Sequence, residues 1–204
     1  MSVLVIDYGM GNLGSVKRSL EECGARVLVS HHPTDISKAS HIILPGVGSF
    51  SDGISNLKSQ GWFEPLKKSI LEQWRPFLGI CLGMQLLADR GYEGDVNEGL
   101  GIIPGEVVKL QPQSASEHIP HVGWNEVYPV KSHPIFKGIL PGTDFYFVHS
   151  YQLMAAHLEH VLALTPYCGN FVSAVIKHNV VGVQFHPEKS QRPGLQLLRN
   201  FLSL

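Results

Sequence analysis

The stretch Gly79-Ile80-Cys81-Leu82-Gly83-Met84-Gln85 limits the fold more than any other part of the chain. An apolar run from Pro76 to Ile80 enters a Gly-x-Cys-x-Gly turn and leaves as the first turn of a helix. A strand that becomes a helix within so few residues holds its central residue on a strained bend with the side chain exposed, and flanking glycines let neighbouring backbone pass without a Cβ collision. A cysteine at that bend is a candidate nucleophile. The helix expected after Cys81 brings unpaired N–H groups and the positive end of its dipole near the sulfur, which favours thiolate over thiol. The same heptapeptide also fits a buried turn with a small apolar cysteine. The choice therefore rests on whether the chain supplies a base and its orienting group.

The surrounding pattern is an alternation. Short apolar runs at Val3 to Ile6, Arg26 to Val29 and Ile42 to Leu44 read as strands, and Leu13, Val16, Leu20 and Cys23 form one stripe of a helix that Gly24 closes. Helical patterns follow at Phe50 to Leu57 and at Trp62 to Trp74, the second tolerating Pro65 in its first turn. Such alternation predicts an α/β fold with a mostly parallel sheet. Residues 91–105 read as loop, and Gln111 to Pro120 as a polar surface loop. Strand candidates at Val107 to Leu110, Phe145 to Val148, Val161 to Leu164 and Val172 to Ile176, broken by proline and glycine, predict an antiparallel part in the second half. A last strand, Val180 to Phe185, runs into His186-Pro187-Glu188, and a helix over Gly194 to Leu202 follows. One domain over residues 1–204 is expected.

His186 and Glu188 lie two apart at the end of an apolar strand, where a period of two puts both side chains on one side. A thiol nucleophile needs a base to take its proton and pass it to the leaving group, and that base needs a third group to fix its tautomer. Cys81, His186 and Glu188 supply the three roles. Strands of one sheet end at a shared rim, so their distance in sequence is no obstacle. Pro45-Gly46-Val47-Gly48 also follows a strand, and an N–H at Val47 together with that of Leu82 would form an oxyanion hole.

Two competing motifs weaken on inspection. Gly9-x-Gly11-x-x-Gly14 between a strand and a helix has the form of a dinucleotide fingerprint, but the end of the next strand reads Val29-Ser30-His31-His32 where that fingerprint needs an acid. His118-x-x-His121 and His157-x-x-His160 lack the further ligands of a metal site, so neither metal nor cofactor is expected. A formal net charge of -1, from 16 basic and 17 acidic residues, gives no reason to expect nucleic acid or an anionic membrane as partner. Three cysteines are too few for a disulfide framework, and the start of the chain lacks a basic, apolar leader, so a cytoplasmic setting is expected.

With these residues in hand, the chain resembles the class I (triad) glutamine amidotransferases, and within them the glutaminase subunits of imidazole glycerol phosphate synthases. The likeness runs through Asp7-Tyr8-Gly9-Met10-Gly11-Asn12-Leu13, Leu44-Pro45-Gly46-Val47-Gly48, the Cys81 elbow, Gly99-Leu100-Gly101, Pro120-His121-Val122-Gly123-Trp124-Asn125, Phe147-Val148-His149-Ser150-Tyr151 and Gln184-Phe185-His186-Pro187-Glu188-Lys189-Ser190. The resemblance implies a flavodoxin-like domain that hydrolyses L-glutamine through a thioester on Cys81, with Gly48, Gln85, His149, Ser150 and Tyr151 lining the glutamine pocket. It also implies a heterodimer in which ammonia passes to a (β/α)8-barrel cyclase making imidazole glycerol phosphate and an aminoimidazole carboxamide ribotide in histidine biosynthesis, with Trp124, Asn125 and Lys189 at the interface. Ser49-Phe50-Ser51-Asp52-Gly53 is equally similar to paralogues that feed ammonia to a barrel partner in surface-sugar biosynthesis, and that pathway is the alternative.

Overall fold

The computed structural model describes residues Met1–Leu204. Its first half runs β1 (Ser2–Ile6), α1 (Leu13–Glu22), β2 (Arg26–Ser30), β3 (His41–Gly46), α2 (Phe50–Ser59), α3 (Phe63–Leu71), β4 (Phe77–Cys81) and the single turn α4 (Leu82–Gln85). The second half runs β5 (Arg90–Gly91), β6 (Asn97–Glu98), β7 (Gly105–Lys109), β8 (His121–Pro129), β9 (Thr143–His149), β10 (Tyr151–Ala155), β11 (Val161–Thr165), β12 (Phe171–Lys177), β13 (Val180–Val183) and α5 (Gln191–Leu202).

Nine strands form one sheet in the order β2-β1-β3-β4-β13-β12-β11-β8-β9. The pairings from β2 to β13 are parallel, and those from β13 onward are antiparallel. The antiparallel part foreseen for the second half thus continues the parallel sheet. A small sheet, β10-β7-β5-β6, lies apart from it; of its two shortest strands, β6 falls inside the stretch read as loop and β5 at its first residue.

Strand β1 shows why the core runs are continuously apolar. Val3 and Val5 join one hydrophobic cluster, with α1 and α5, while Leu4 and Ile6 join a second, with α2 and α3. A strand covered on both faces buries every side chain and loses the polar alternation of a one-sided strand. Register then builds the site: Gly46 pairs with Cys81, and Val183 with Ile80, so β3, β4 and β13 end level at one rim.

Two elements that carry the site went unrecognised in the sequence. Strand β8 spans nine residues and holds Gly123-Trp124-Asn125, residues of low strand propensity apart from the tryptophan. Its pairing with β9 runs from His121 opposite His149 to Val127 opposite Thr143. Strand β10 follows β9 after one residue and pairs with β7 instead.

Candidate active site

Cys81 ends β4 at φ 54 and ψ -110, a positive φ that only a crowded surrounding can hold for a non-glycine residue. That crowding is visible at its glycines: a Cβ at Gly83 would lie 1.8 Å from the carbonyl oxygen of Leu44, and one at Gly79 would lie 2.5 Å from that of Gly83. The helix expected after the elbow is only the four-residue α4. So short a helix adds little dipole, and direct contacts hold the sulfur instead. Gln184 Nε2 donates to Cys81 Sγ at 3.6 Å, and the thiol faces the carbonyl oxygen of Val148 at 3.8 Å.

His186 reaches the same rim, though not by strand alternation. Strand β13 stops at Val183, and the backbone N–H of His186 bonds to Tyr146 of β9. Residues Pro187–Lys189 then form a 3-10 turn, which folds Glu188 back so that its Oε1 lies 2.8 Å from His186 Nδ1. The same-side placement expected from a period of two is replaced by a turn. Both side chains are almost fully buried. Ser190 locks the turn: its hydroxyl donates to the His186 carbonyl at 2.6 Å and accepts the Tyr146 N–H at 3.0 Å. Gly194 lets α5 pack beneath, since a Cβ there would lie 1.9 Å from the Pro187 carbonyl.

Nδ1 faces a carboxylate and carries the hydrogen, which leaves Nε2 as the basic atom; Nε2 is buried and has no hydrogen-bond partner. Burial pushes the imidazolium down, but the charge of the nearby Cys81 and the hydrogen bond and charge of Glu188 overcome it and hold His186 above its ordinary 6.5. Such coupling lets the ring hold a proton taken from the thiol.

A cavity of about 440 Å³ opens over the sulfur. Val47, Gly48, Leu82, Gln85, His149, Ser150 and Tyr151 all line it with Cys81, as do Ser49, Glu93 and Val148, which sequence reasoning missed. Glu93 Oε2 accepts the N–H of Phe50 at the start of α2, fixing a carboxylate at the cavity wall. Both amide hydrogens of Gln85 are taken internally, by the Tyr151 carbonyl and Gln184 Oε1, each at 2.9 Å. Its carbonyl oxygen is the atom left for a ligand. No group of three His, Cys, Asp or Glu side chains is arranged to hold a metal ion.

Residues 4–204 match the family described as glutamine amidotransferase class-I. The chain belongs to the class I glutamine amidotransferases. It is 48% identical over 202 residues, covering 99% of this chain and 100% of the other, to the protein named imidazole glycerol phosphate synthase subunit HisH 1 in Campylobacter jejuni strain RM1221. It is 45% identical over 212 residues, covering 99% and 98%, to the HisH subunit of that synthase in Brucella abortus strain 2308. Among solved structures, PurLQS from Thermotoga maritima superposes with a TM-score of 0.78 at 18% identity, covering 99% of this chain and 97% of that one, a likeness of fold.

In this amidotransferase, Trp124 and Lys189 meet over one residue. The Trp124 ring lies 6.0 Å from that of Tyr146, edge to face, and Lys189 Nζ sits 5.6 Å from the Tyr146 centroid. Trp124 is 47% exposed, so the three form an open aromatic and basic patch beside the His186 turn. Asn125, grouped with them in the sequence, falls on the opposite face of β8 and turns its amide inward to His121. Tyr146, Gln184 and Ser190 gave little signal of their own, because each acts through a contact between distant strands.

Proposed function

We propose that this chain is the glutaminase subunit of an imidazole glycerol phosphate synthase, a single domain over residues 1–204 working in the cytoplasm. Cys81 Sγ attacks the side-chain amide carbon of L-glutamine while His186 Nε2 takes the thiol proton. The N–H groups of Val47 and Leu82 bind the oxyanion of the tetrahedral intermediate. His186 returns the proton to the departing ammonia, leaving a glutamyl thioester, and then activates the water that releases glutamate and restores the thiol. Glu188 holds His186 in the tautomer this requires. Gly48, Gln85, His149, Ser150 and Tyr151 contact glutamine, and Glu93 faces its α-ammonium.

The observation that carries this reading is a strained Cys81 that lines the cavity and is coupled to a buried His186, whose Nδ1 is held by Glu188. The names of the relatives support the pathway and imply a second subunit. A (β/α)8-barrel cyclase as that partner, docking over Trp124 and Lys189, fits the rim position of the patch. Ammonia released into water is mostly protonated and lost as a nucleophile, so a sealed contact there has a chemical purpose. No helix is long and apolar enough to cross a membrane.

The test is to combine the chain with a histidine-pathway cyclase and measure glutamate and imidazole glycerol phosphate together. A ratio near one that rises in Lys189→Ala supports the reading. Glutamate without any complex or product moves the chain to the surface-sugar paralogues, and no glutamate at all overturns the glutaminase assignment.

A further inference from the structure

Behind the cavity wall lies a histidine pair, one member of which, His121, the chemistry above does not use. His121 of β8 and His149 of β9 are opposite one another in register and buried, with His121 Nδ1 3.0 Å from His149 Nε2. Both ends of the pair have fixed polarity. His149 Nδ1 lies 2.9 Å from the carbonyl oxygen of Tyr151, which only accepts, so Nδ1 carries a hydrogen. Asn125 Nδ2 lies 3.2 Å from His121 Nε2, and the amide cannot be reversed because its Oδ1 already accepts the Glu126 N–H at 2.8 Å. An amide nitrogen only donates, so His121 Nε2 is a bare acceptor. Two neutral rings then admit a single arrangement, with His121 Nδ1–H donating to His149 Nε2.

An extra proton on either ring sets two donors face to face, at Asn125 or between the rings. Burial acts in the same direction, pushing His121 down to about 4. It likewise takes His149 to about 3, helped by the nearby His121 and His186 against the Tyr151 carbonyl. The His121 ring is clamped by Tyr167, stacked at 4.1 Å, whose hydroxyl bonds both the N–H and the carbonyl of His118. Beyond Tyr151 the connection continues into the cavity wall, because Gln85 donates to the same carbonyl and to Gln184, and Gln184 donates to Cys81 Sγ.

We propose that the His121–His149 pair is a positioning relay: it fixes the tautomer of His149, anchors the Tyr151 carbonyl and Gln85 in the glutamine pocket, and makes that pocket sensitive to the placement of Asn125 on β8. His121 and Asn125 are positioning residues that need not touch glutamine. The inference rests on the glutaminase reading for the identity of the ligand.

The experiment measures alkylation of Cys81 by iodoacetamide in the full chain, with and without L-glutamine, so that protection reports binding without turnover. His121→Phe keeps a ring for Tyr167 to stack on and removes both ring nitrogens. It is expected to weaken glutamine protection about fivefold to tenfold, the loss of one or more hydrogen bonds, while alkylation without glutamine stays within about twofold. Asn125→Ala, at a half-exposed position that tests the relay even if His121→Phe folds poorly, should weaken protection about threefold or more. The double variant should be no weaker than His121→Phe, because both act through one chain of bonds. Protection equal to the parent's in the single variants, or effects that multiply in the double, overturns the relay alone. If glutamine fails to protect Cys81 even in the parent, the glutaminase reading falls, and the relay falls with it.

Discussion

The two strand ends that meet at the cavity are built in opposite ways. At the end of β4 the strained Cys81 is over-determined: Gly79 and Gly83 are packed so closely that neither admits a Cβ, and Gln184 and the Val148 carbonyl flank the sulfur. At the end of β3, Gly46 rests on the hydroxyl of Tyr8, but Val47 beyond it is 44% exposed and Gly48 sits at φ +111. Strain persists only where packing holds it, whereas an exposed residue between glycines leaves a peptide that can rotate. Under the mechanism proposed above, the contrast supports a division of labour in which the nucleophile stands prebuilt and the Val47 oxyanion donor is adjustable. A partner that biases the loop would then raise the rate by population shift.

The largest expected effect breaks the prebuilt side outright. Cys81→Ser should lower glutamine hydrolysis by on the order of 10³-fold or more, and a glutamine-mimicking alkylator should label Cys81 but not Cys23 or Cys168 in peptide mass analysis. Labelling of all three at one rate would place the special reactivity elsewhere. Glu188→Gln should follow, at on the order of 10²-fold, by mispositioning His186. Cys81 and Glu188 hold the parent ring above its ordinary 6.5, and removing one of these groups should move its NMR titration to lower pH. An unmoved titration would mean that another group orients the ring.

The adjustable side should break more gently. Gly48→Ala forces a side chain into a left-handed backbone and against Met10 Cε, 2.6 Å from the ideal Cβ. Hydrolysis should fall about tenfold, while Cys81 alkylation stays at the parent rate. Equal losses in both assays would erase the contrast. By the same reasoning the purified chain alone should turn over glutamine slowly beside the complex carrying acceptor ligand.

Smaller effects sharpen the picture around these two regions. His121 and His149 have native values near 4 and 3, below the ordinary 6.5. Below about pH 6.5 the unfolded chain therefore binds protons that the native chain refuses, so their share of stability is full above that pH and is lost as pH falls toward 4. The loss is on the order of 1 kcal/mol per pH unit for each ring. Urea unfolding at about pH 7 and about pH 5 should show the parent losing more stability than His121→Phe. Smallest of all is Tyr8→Phe. Its buried hydroxyl has no hydrogen-bond partner, so stability should hold or rise by up to about 1 kcal/mol. A fall in hydrolysis with unchanged stability would show that the hydroxyl serves the Val47 peptide.

The sequence by itself determined what depends on near neighbours. Residues Val3 to Ile6 had to be buried on both faces because no polar alternation interrupts them. The bend at Cys81 followed from glycines spaced to allow it, and the ends of parallel strands share one rim, which draws His186 to Cys81. Only the tertiary structure decided what depends on register between distant segments. Strand β8 forms through its pairing with β9 and not through the propensity of Gly123 or Asn125; Glu188 reaches His186 by a turn locked by Ser190; and Glu93 and Gln184 gain their places from contacts across the fold. The facing of His121 and His149 belongs to this second group, since a slip of one residue between β8 and β9 would turn one ring of the pair to the opposite face of the sheet.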